Sequence, residues 1–249
     1  MKDYFSSHAA VYAQFRPVYP KALYDFLLPL VAEKRVSWDC GCGNGQVASV
    51  LSEHFDHVEA TDMSRKQIHH AIAKPNVEYH VCAAENTPIE SNFVNLITVA
   101  QALHWFDMEA FFGEVQRVSA PNAIIAIWCY SLMEINPQID GIIHRLYSQT
   151  LGEQYWDPAR KFIDEHYKTV PFPFEEIETP EFSINVSWTL PQLLGYLSSW
   201  SAVQHYIQKN DTNPVDLYVE ELEHACIGLE TIDIRFPLYL RIGKVKSAS

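Results

Sequence analysis

The chain has 249 residues, 48% apolar and 20% charged, with 31 acids against 18 Lys and Arg for a formal net charge of −13. That length and composition suit one α/β domain with an insertion and leave no room for a repeat or low-complexity architecture. An acidic surface without a basic stripe repels phosphate backbones, so neither DNA nor RNA is an expected partner.

No apolar run approaches the roughly 20 residues that span a bilayer. Met1, Lys2, Asp3 and Tyr4 lead into polar residues rather than a signal-peptide hydrophobic stretch, so no membrane association is expected and the expected compartment is the cytoplasm. Five cysteines (Cys40, Cys42, Cys82, Cys129, Cys226) have no paired spacing and suit reduced thiols. Cys40-Gly41-Cys42 lacks the two-residue spacer of redox and zinc motifs, and no metal is expected there.

Residues 20–34 predict a helix, with Leu23, Phe26, Leu27 and Leu30 on one stripe and Pro20 near the favoured start. Val36, Ser37 and Trp38 form a first strand that runs into Asp39-Cys40-Gly41-Cys42-Gly43-Asn44-Gly45-Gln46. Val47, Val50, Leu51 and Phe55 follow at helical spacing. Residues 57–61 predict a second strand ending at Asp62, and Ser64-Arg65-Lys66-Gln67 fits a capping box. Further strands are predicted at 77–83, 94–100 and 123–128, β-branched runs suited to burial on both faces. Between the last two, Asp107 is placed to cap a helix reaching about Val118.

Past Pro137 the rhythm changes. Residues 138–170 look helical but irregular, 170–174 form a proline-broken connector, and 182–188 predict a strand. Helical stretches at 191–207 and 215–229 precede a long last strand at 232–245. The acids at Glu175, Glu176, Glu178 and Glu181, and at Glu220, Glu221 and Glu223, read as solvated faces.

The expected architecture is α/β: a Rossmann-like, doubly wound, mostly parallel sheet of about seven strands with a helical cap inserted after the fifth strand. One domain over 1–249 is expected, with a lid and first helix at 1–35 and a core at 36–133. The cap, including the sixth strand, follows at 134–230, and the last strand at 231–246. The cap should lie over the carboxyl ends of the strands, where ligands of open α/β sheets bind.

The glycine loop carries the most chemistry, because glycine admits positive φ and lets backbone N–H groups approach a ligand. A dinucleotide fingerprint needs glycines at relative positions one, three and six. Here Gly41, Gly43 and Gly45 fall at one, three and five, and Gln46 stands where the last would be. No Lys-Ser or Lys-Thr follows, as a phosphate-binding P-loop requires. A turn that only joins strand to helix is the plain alternative.

Four ordered motifs then coincide: Asp39-x-Gly41-x-Gly43-x-Gly45, Asp62 ending the second strand, Ala84-Glu85-Asn86-Thr87-Pro88, and Ala100-Gln101-Ala102-Leu103-His104-Trp105-Phe106. Together they resemble the class I S-adenosylmethionine-dependent methyltransferases over about residues 1–130. The last motif, with Tyr12-x-x-x-Arg16-Pro17-x-Tyr19-Pro20, resembles the small-molecule branch that includes trans-aconitate methyltransferases.

The resemblance implies S-adenosyl-L-methionine as cofactor and methyl transfer to a small-molecule acceptor, a carboxylic acid among the candidates. It places Gly41, Gly43 and Gly45 under the ribose and methionine moiety and sets Asp39 to attract the ammonium. Asp62, followed by Met63, would take the ribose hydroxyls; its plain alternative is a turn acid. The resemblance also implies an acidic side chain for the adenine amino group, but that position is Ala83, leaving backbone groups around Ala84 and Glu85. Gln101 and Ala102 would flank the methionine tail.

His104 is a general base or a structurally satisfied ring, and Tyr12 is a second candidate base. Arg16 would bind a carboxylate of cofactor or substrate, with Arg145 and Arg160 as further candidates in the insert. A cofactor-binding regulator without turnover and a nicotinamide oxidoreductase are the competing readings. Oligomeric state has no signal in the sequence.

Overall fold

The computed structural model describes residues 17–245. Tyr12 and Arg16 lie outside the described residues. Helix α1 (Lys21–Leu27) and a 3-10 turn (Leu28–Leu30) lead into β1 (Val36–Cys40). The alternation continues with α2 (Gln46–Leu51), β2 (His57–Asp62), α3 (Arg65–His69) and β3 (Val77–Val81). After β4 (Val94–Ala100) come α4 (Met108–Val118) and β5 (Ser119–Tyr130).

The insert holds α5 (Pro137–Arg145), a π-helical turn (Leu146–Leu151), α6 (Gly152–Tyr155), a 3-10 turn (Pro158–Arg160) and α7 (Lys161–Asp164). It continues through β6 (Glu175–Ile177), β7 (Phe182–Trp188), α8 (Leu190–Ser198), α9 (Ser201–Asn210), a 3-10 turn (Pro214–Tyr218) and α10 (Val219–Ala225). The last strand is β8 (Ile232–Lys244).

The sheet order is β3-β2-β1-β4-β5-β8-β6, with β7 also on β8. Strands β1 to β5 pair in parallel, and β8 runs antiparallel to β5. β6 takes Ile242 to Lys244 of β8, whereas β7 takes Ile232 to Leu238. The two short strands therefore share one side of β8, and eight strands make a sheet seven positions wide. Glu175 and Glu176 are exposed, as solvated acids should be, but they lie on the edge strand β6. The predicted helix at 191–207 is also two helices, α8 and α9, broken near Trp200.

The core divides by sheet face. Leu23, Leu27, Val47, Leu51, Val58, Ala60 and Leu96 pack on one side, and Trp38, Ile97, Val99, Phe111, Val115 and Ile125 on the other. Strand order reverses between β1, flanked by β2, and β4, flanked by β5. Such a switch point opens a crevice at the carboxyl ends of the strands. The glycine loop leaves β1 there and Gln101 to Phe106 leave β4 there.

Candidate active site

All three loop glycines take positive φ: 69° at Gly41, 54° at Gly43 and 81° at Gly45. Their surroundings differ. A Cβ on Gly41 would meet the Ala102 Cβ at 2.5 Å, so this glycine lets the β1 and β4 loops touch across the switch point. A Cβ on Gly45 would meet the Tyr79 hydroxyl at 2.2 Å; that hydroxyl donates to the Ile72 carbonyl at 2.7 Å. A Cβ on Gly43 would meet nothing within 4 Å. Gly43 thus borders open space, while its two neighbours serve packing.

Asp39 turns inward. It is 1% exposed, and its carboxylate accepts from the Ala48 N–H at 3.0 Å and the Thr98 hydroxyl at 2.9 Å. Those bonds tie β1, α2 and β4 together under the loop. Burial pushes its pKa up to about 7, the two hydrogen bonds oppose the rise, and nearby Asp62 adds to it.

Asp62 stays half-buried at the rim. One carboxylate oxygen accepts from the Gly43 N–H at 2.8 Å and the other from the Ser64 N–H at 2.8 Å. Ser64 caps α3 by accepting from the Gln67 N–H at 3.4 Å. Both Asp62 oxygens thus shape the loop and the start of α3. Met63 beside it is 49% exposed.

Ala84 is buried, and Glu85 accepts from the Asp107 N–H at 2.8 Å, tying its loop to the start of α4. Asp107 caps that helix through the Ala110 N–H at 3.2 Å. Gln101 sits in the left-handed region, φ 57°. Its side-chain oxygen accepts from the Tyr130 N–H at 2.8 Å and its amide nitrogen donates to the Tyr130 carbonyl at 3.4 Å. The ends of β4 and β5 are locked together by this exchange.

A partly enclosed cavity opens beside Gln101 and His104, walled by Trp105, Tyr130, Trp156, Tyr196 and Trp200, with Arg160 at its edge. Residues of the insert thus share this cavity with Gln101 and Tyr130 at the ends of β4 and β5. Arg160 lies with its guanidinium carbon 4.8 Å from the Trp156 ring centroid, and its Nε donates to the Tyr147 hydroxyl at 3.2 Å. Arg145 instead pairs with Glu221 in a separate groove between α5 and α10, which removes it from the candidates for an acidic substrate.

His104 is 8% exposed, and its Nδ1 lies 2.9 Å from the Tyr167 hydroxyl. Sequence reading missed Tyr167, which reaches His104 through two consecutive left-handed residues, His166 at φ 57° and Tyr167 at φ 56°. Each such residue costs about 1–2 kcal/mol and persists only where its surroundings over-determine it. Here Arg241 donates to the Tyr167 and Val170 carbonyls at 2.9 and 2.8 Å, and His166 stacks on Tyr239 at 3.5 Å. Glu176 of β6 holds Arg241 at 2.7 Å and is itself kept ionised by it, its pKa lowered. Glu176, solvated as expected, therefore also braces the turn that presents Tyr167.

Among the described residues all five cysteines are free, and burial raises the Cys40 and Cys42 thiols well above the ordinary range, leaving them neutral. No helix of the described residues is long and apolar enough to cross a membrane.

Comparison with known proteins agrees with this geometry. Residues 38–127 match a family model described as a methyltransferase domain. A protein of Dictyostelium discoideum with a methyltransferase name is 35% identical, the alignment covering 97% of this chain and 95% of that one. A solved structure from Anaeromyxobacter dehalogenans, named as a type II methyltransferase, superposes with a TM-score of 0.85 at 35% identity, covering 94% of this chain and 100% of that one. A Saccharomyces cerevisiae protein named for S-adenosylmethionine-dependent methyl transfer is 22% identical, over 90% of this chain and 89% of its own. The crevice at the switch point, the open Gly43 and the rim carboxylate of Asp62 fit that cofactor, and the chain belongs to the class I S-adenosylmethionine-dependent methyltransferases.

Proposed function

We propose that the acceptor is a small molecule bearing a carboxylate, held in the aromatic cavity with Arg160 as its counter-ion. The observation that carries this reading is Arg160 itself. Its Nε and ring face are committed to Tyr147, Asp164 and Trp156, whereas its terminal nitrogens bond to nothing among the described residues. A guanidinium fork stacked on an aromatic ring is a preferred partner for carboxylates. The net charge of −13 disfavours an anion at long range, but screening beyond about 8–10 Å leaves the local cation to decide.

The loop of Gly41, Gly43 and Gly45, with Asp62, Met63, Ala84, Glu85, Gln101 and Ala102, would hold the cofactor. Tyr12 and Arg16 would complete its lid. Asp39 supports the loop from beneath. Bound there, the cofactor supplies an electrophilic sulfonium methyl.

His104 stands beside the acceptor cavity in this reading, its Nδ1 2.9 Å from the Tyr167 hydroxyl. Burial raises the Tyr167 hydroxyl well above its ordinary range, so it stays protonated beside the imidazole. A carboxylate nucleophile needs no general base, so the imidazole need not take a proton in this reading. Positioning carries most of the rate.

A labelled-methyl transfer assay over small acids, phenols and amines, with trans-aconitate included, tests the proposal. Label is expected in carboxylic acids. Transfer to amines or phenols and to no acid would remove the carboxylate reading.

A further inference from the structure

The half of the sheet farthest from the cavity carries a second cluster of chemistry. His57 and Glu59 stand two residues apart on β2 and so share a face. Val58 and Ala60 fill the opposite, fully buried face. In the parallel register Glu59 lies opposite Glu78 of β3, and His80 follows two residues later on the same face. The connection from β3 to β4 contains no helix, so the element that usually covers such a crossover face is missing. In place of an apolar surface the chain has H-x-E on one strand and E-x-H on its neighbour.

Electrostatics make this pairing costly by itself. Glu59 is only 8% exposed and faces another glutamate across the ladder. Like charges placed opposite each other destabilise a sheet. Among the described residues neither acid has a Lys or Arg partner. Instead the His57 Nε2 sits 3.0 Å from one Glu59 oxygen and the His80 Nε2 2.6 Å from the other. Ligand atoms of His57, Glu59 and Glu78 all lie within 4.8 Å of one another. Donors about 2.0–2.1 Å from a tetrahedral ion stand roughly 3.3 Å apart.

We propose that His57, Glu59 and Glu78 form a binding site for a divalent transition-metal ion, with His80 orienting the Glu59 carboxylate from its second oxygen. One imidazole and two carboxylates suit zinc, nickel, cobalt or copper; magnesium and calcium prefer all-oxygen sets. Three protein ligands leave the fourth position to water. The ion neutralises the facing acids and clamps edge strand β3 to β2. This site is independent of the acceptor assignment.

Titration calorimetry of the full chain, stripped of metal and then given zinc or nickel chloride, is the test. One equivalent is expected per chain. His57→Ala and Glu78→Gln are expected to abolish binding, and His80→Ala to weaken it 10- to 100-fold, the usual effect of losing a partner that orients a ligand. S-adenosylhomocysteine affinity and circular dichroism verify that each variant folds. Copper-loaded wild-type protein gives a readout that needs no variant, since pulsed electron paramagnetic resonance detects the remote nitrogen of a coordinated imidazole. Absence of metal binding, binding undiminished in His57→Ala, or a thiolate charge-transfer band from the cobalt-loaded protein would overturn the assignment.

Discussion

Alanine at Gly43 and alanine at Gly45 test the proposal that the first glycine is kept for the cofactor and the second for packing. Both positions hold positive φ, 54° and 81°, which costs a non-glycine residue about 1–2 kcal/mol. At Gly43 the added methyl meets nothing within 4 Å, so that backbone cost is the whole effect on stability. At Gly45 the methyl would lie 2.2 Å from the Tyr79 hydroxyl oxygen and 3.0 Å from its ring carbon. Overpacking adds about 1–3 kcal/mol, giving roughly 2–5 kcal/mol in all. Urea unfolding measures the two losses, and calorimetry with S-adenosylhomocysteine measures binding. Gly43→Ala is expected to fold with the smaller loss yet bind the cofactor product at least tenfold more weakly, because its methyl would enter the space proposed for the cofactor. Tyr79→Phe in the Gly45→Ala background removes the nearest atom and should restore part of the stability. Wild-type affinity in Gly43→Ala would refute the account of the loop.

Asp62→Ala removes an acceptor for the ribose diol and the tie to the Gly43 N–H, so cofactor affinity should fall by an order of magnitude or more in the same titration; unchanged affinity would sink the ribose assignment. Asp39 holds its proton when folded at pH values where the unfolded chain has lost it. Its contribution is therefore complete below about pH 4 and declines as pH rises toward 7, by at most about 4 kcal/mol for a rise from 3.8 to about 7. Asp39→Asn should flatten that part of the stability–pH curve relative to wild type, and parallel curves for the two proteins would contradict the burial argument. Tyr167→Phe should cost about 1 kcal/mol in unfolding free energy and lower kcat by leaving His104 unoriented, with S-adenosylhomocysteine binding unchanged.

Some elements were legible because their signals are local. Val94–Ala100 and Phe182–Trp188 have the bounds their apolar patterns predicted, and Asp107 caps the helix that follows it. β6 escaped because its three residues, Glu175 to Ile177, carry no strand pattern; their pairing is decided by the length of β8. The motif residues Gly41, Gly45 and Asp39 were visible as types, but their partners Ala102, Tyr79 and Thr98 are distant in sequence. Arg145 and Arg160 looked equivalent, and only tertiary packing sends one to Glu221 and the other to the cavity edge. Tyr167 depends on a left-handed turn braced by Arg241, which lies 74 residues away. No local propensity announces such a turn.

The most direct test of the acceptor assignment is steady-state methyl transfer by Arg160→Gln, measured on the best acid substrate together with S-adenosylhomocysteine affinity in the same preparation. A hydrogen bond to a charged group contributes about 1.5–3 kcal/mol, so KM for the acid should rise about 10- to 100-fold while cofactor affinity holds. Wild-type KM in a variant that binds the cofactor normally would contradict the account.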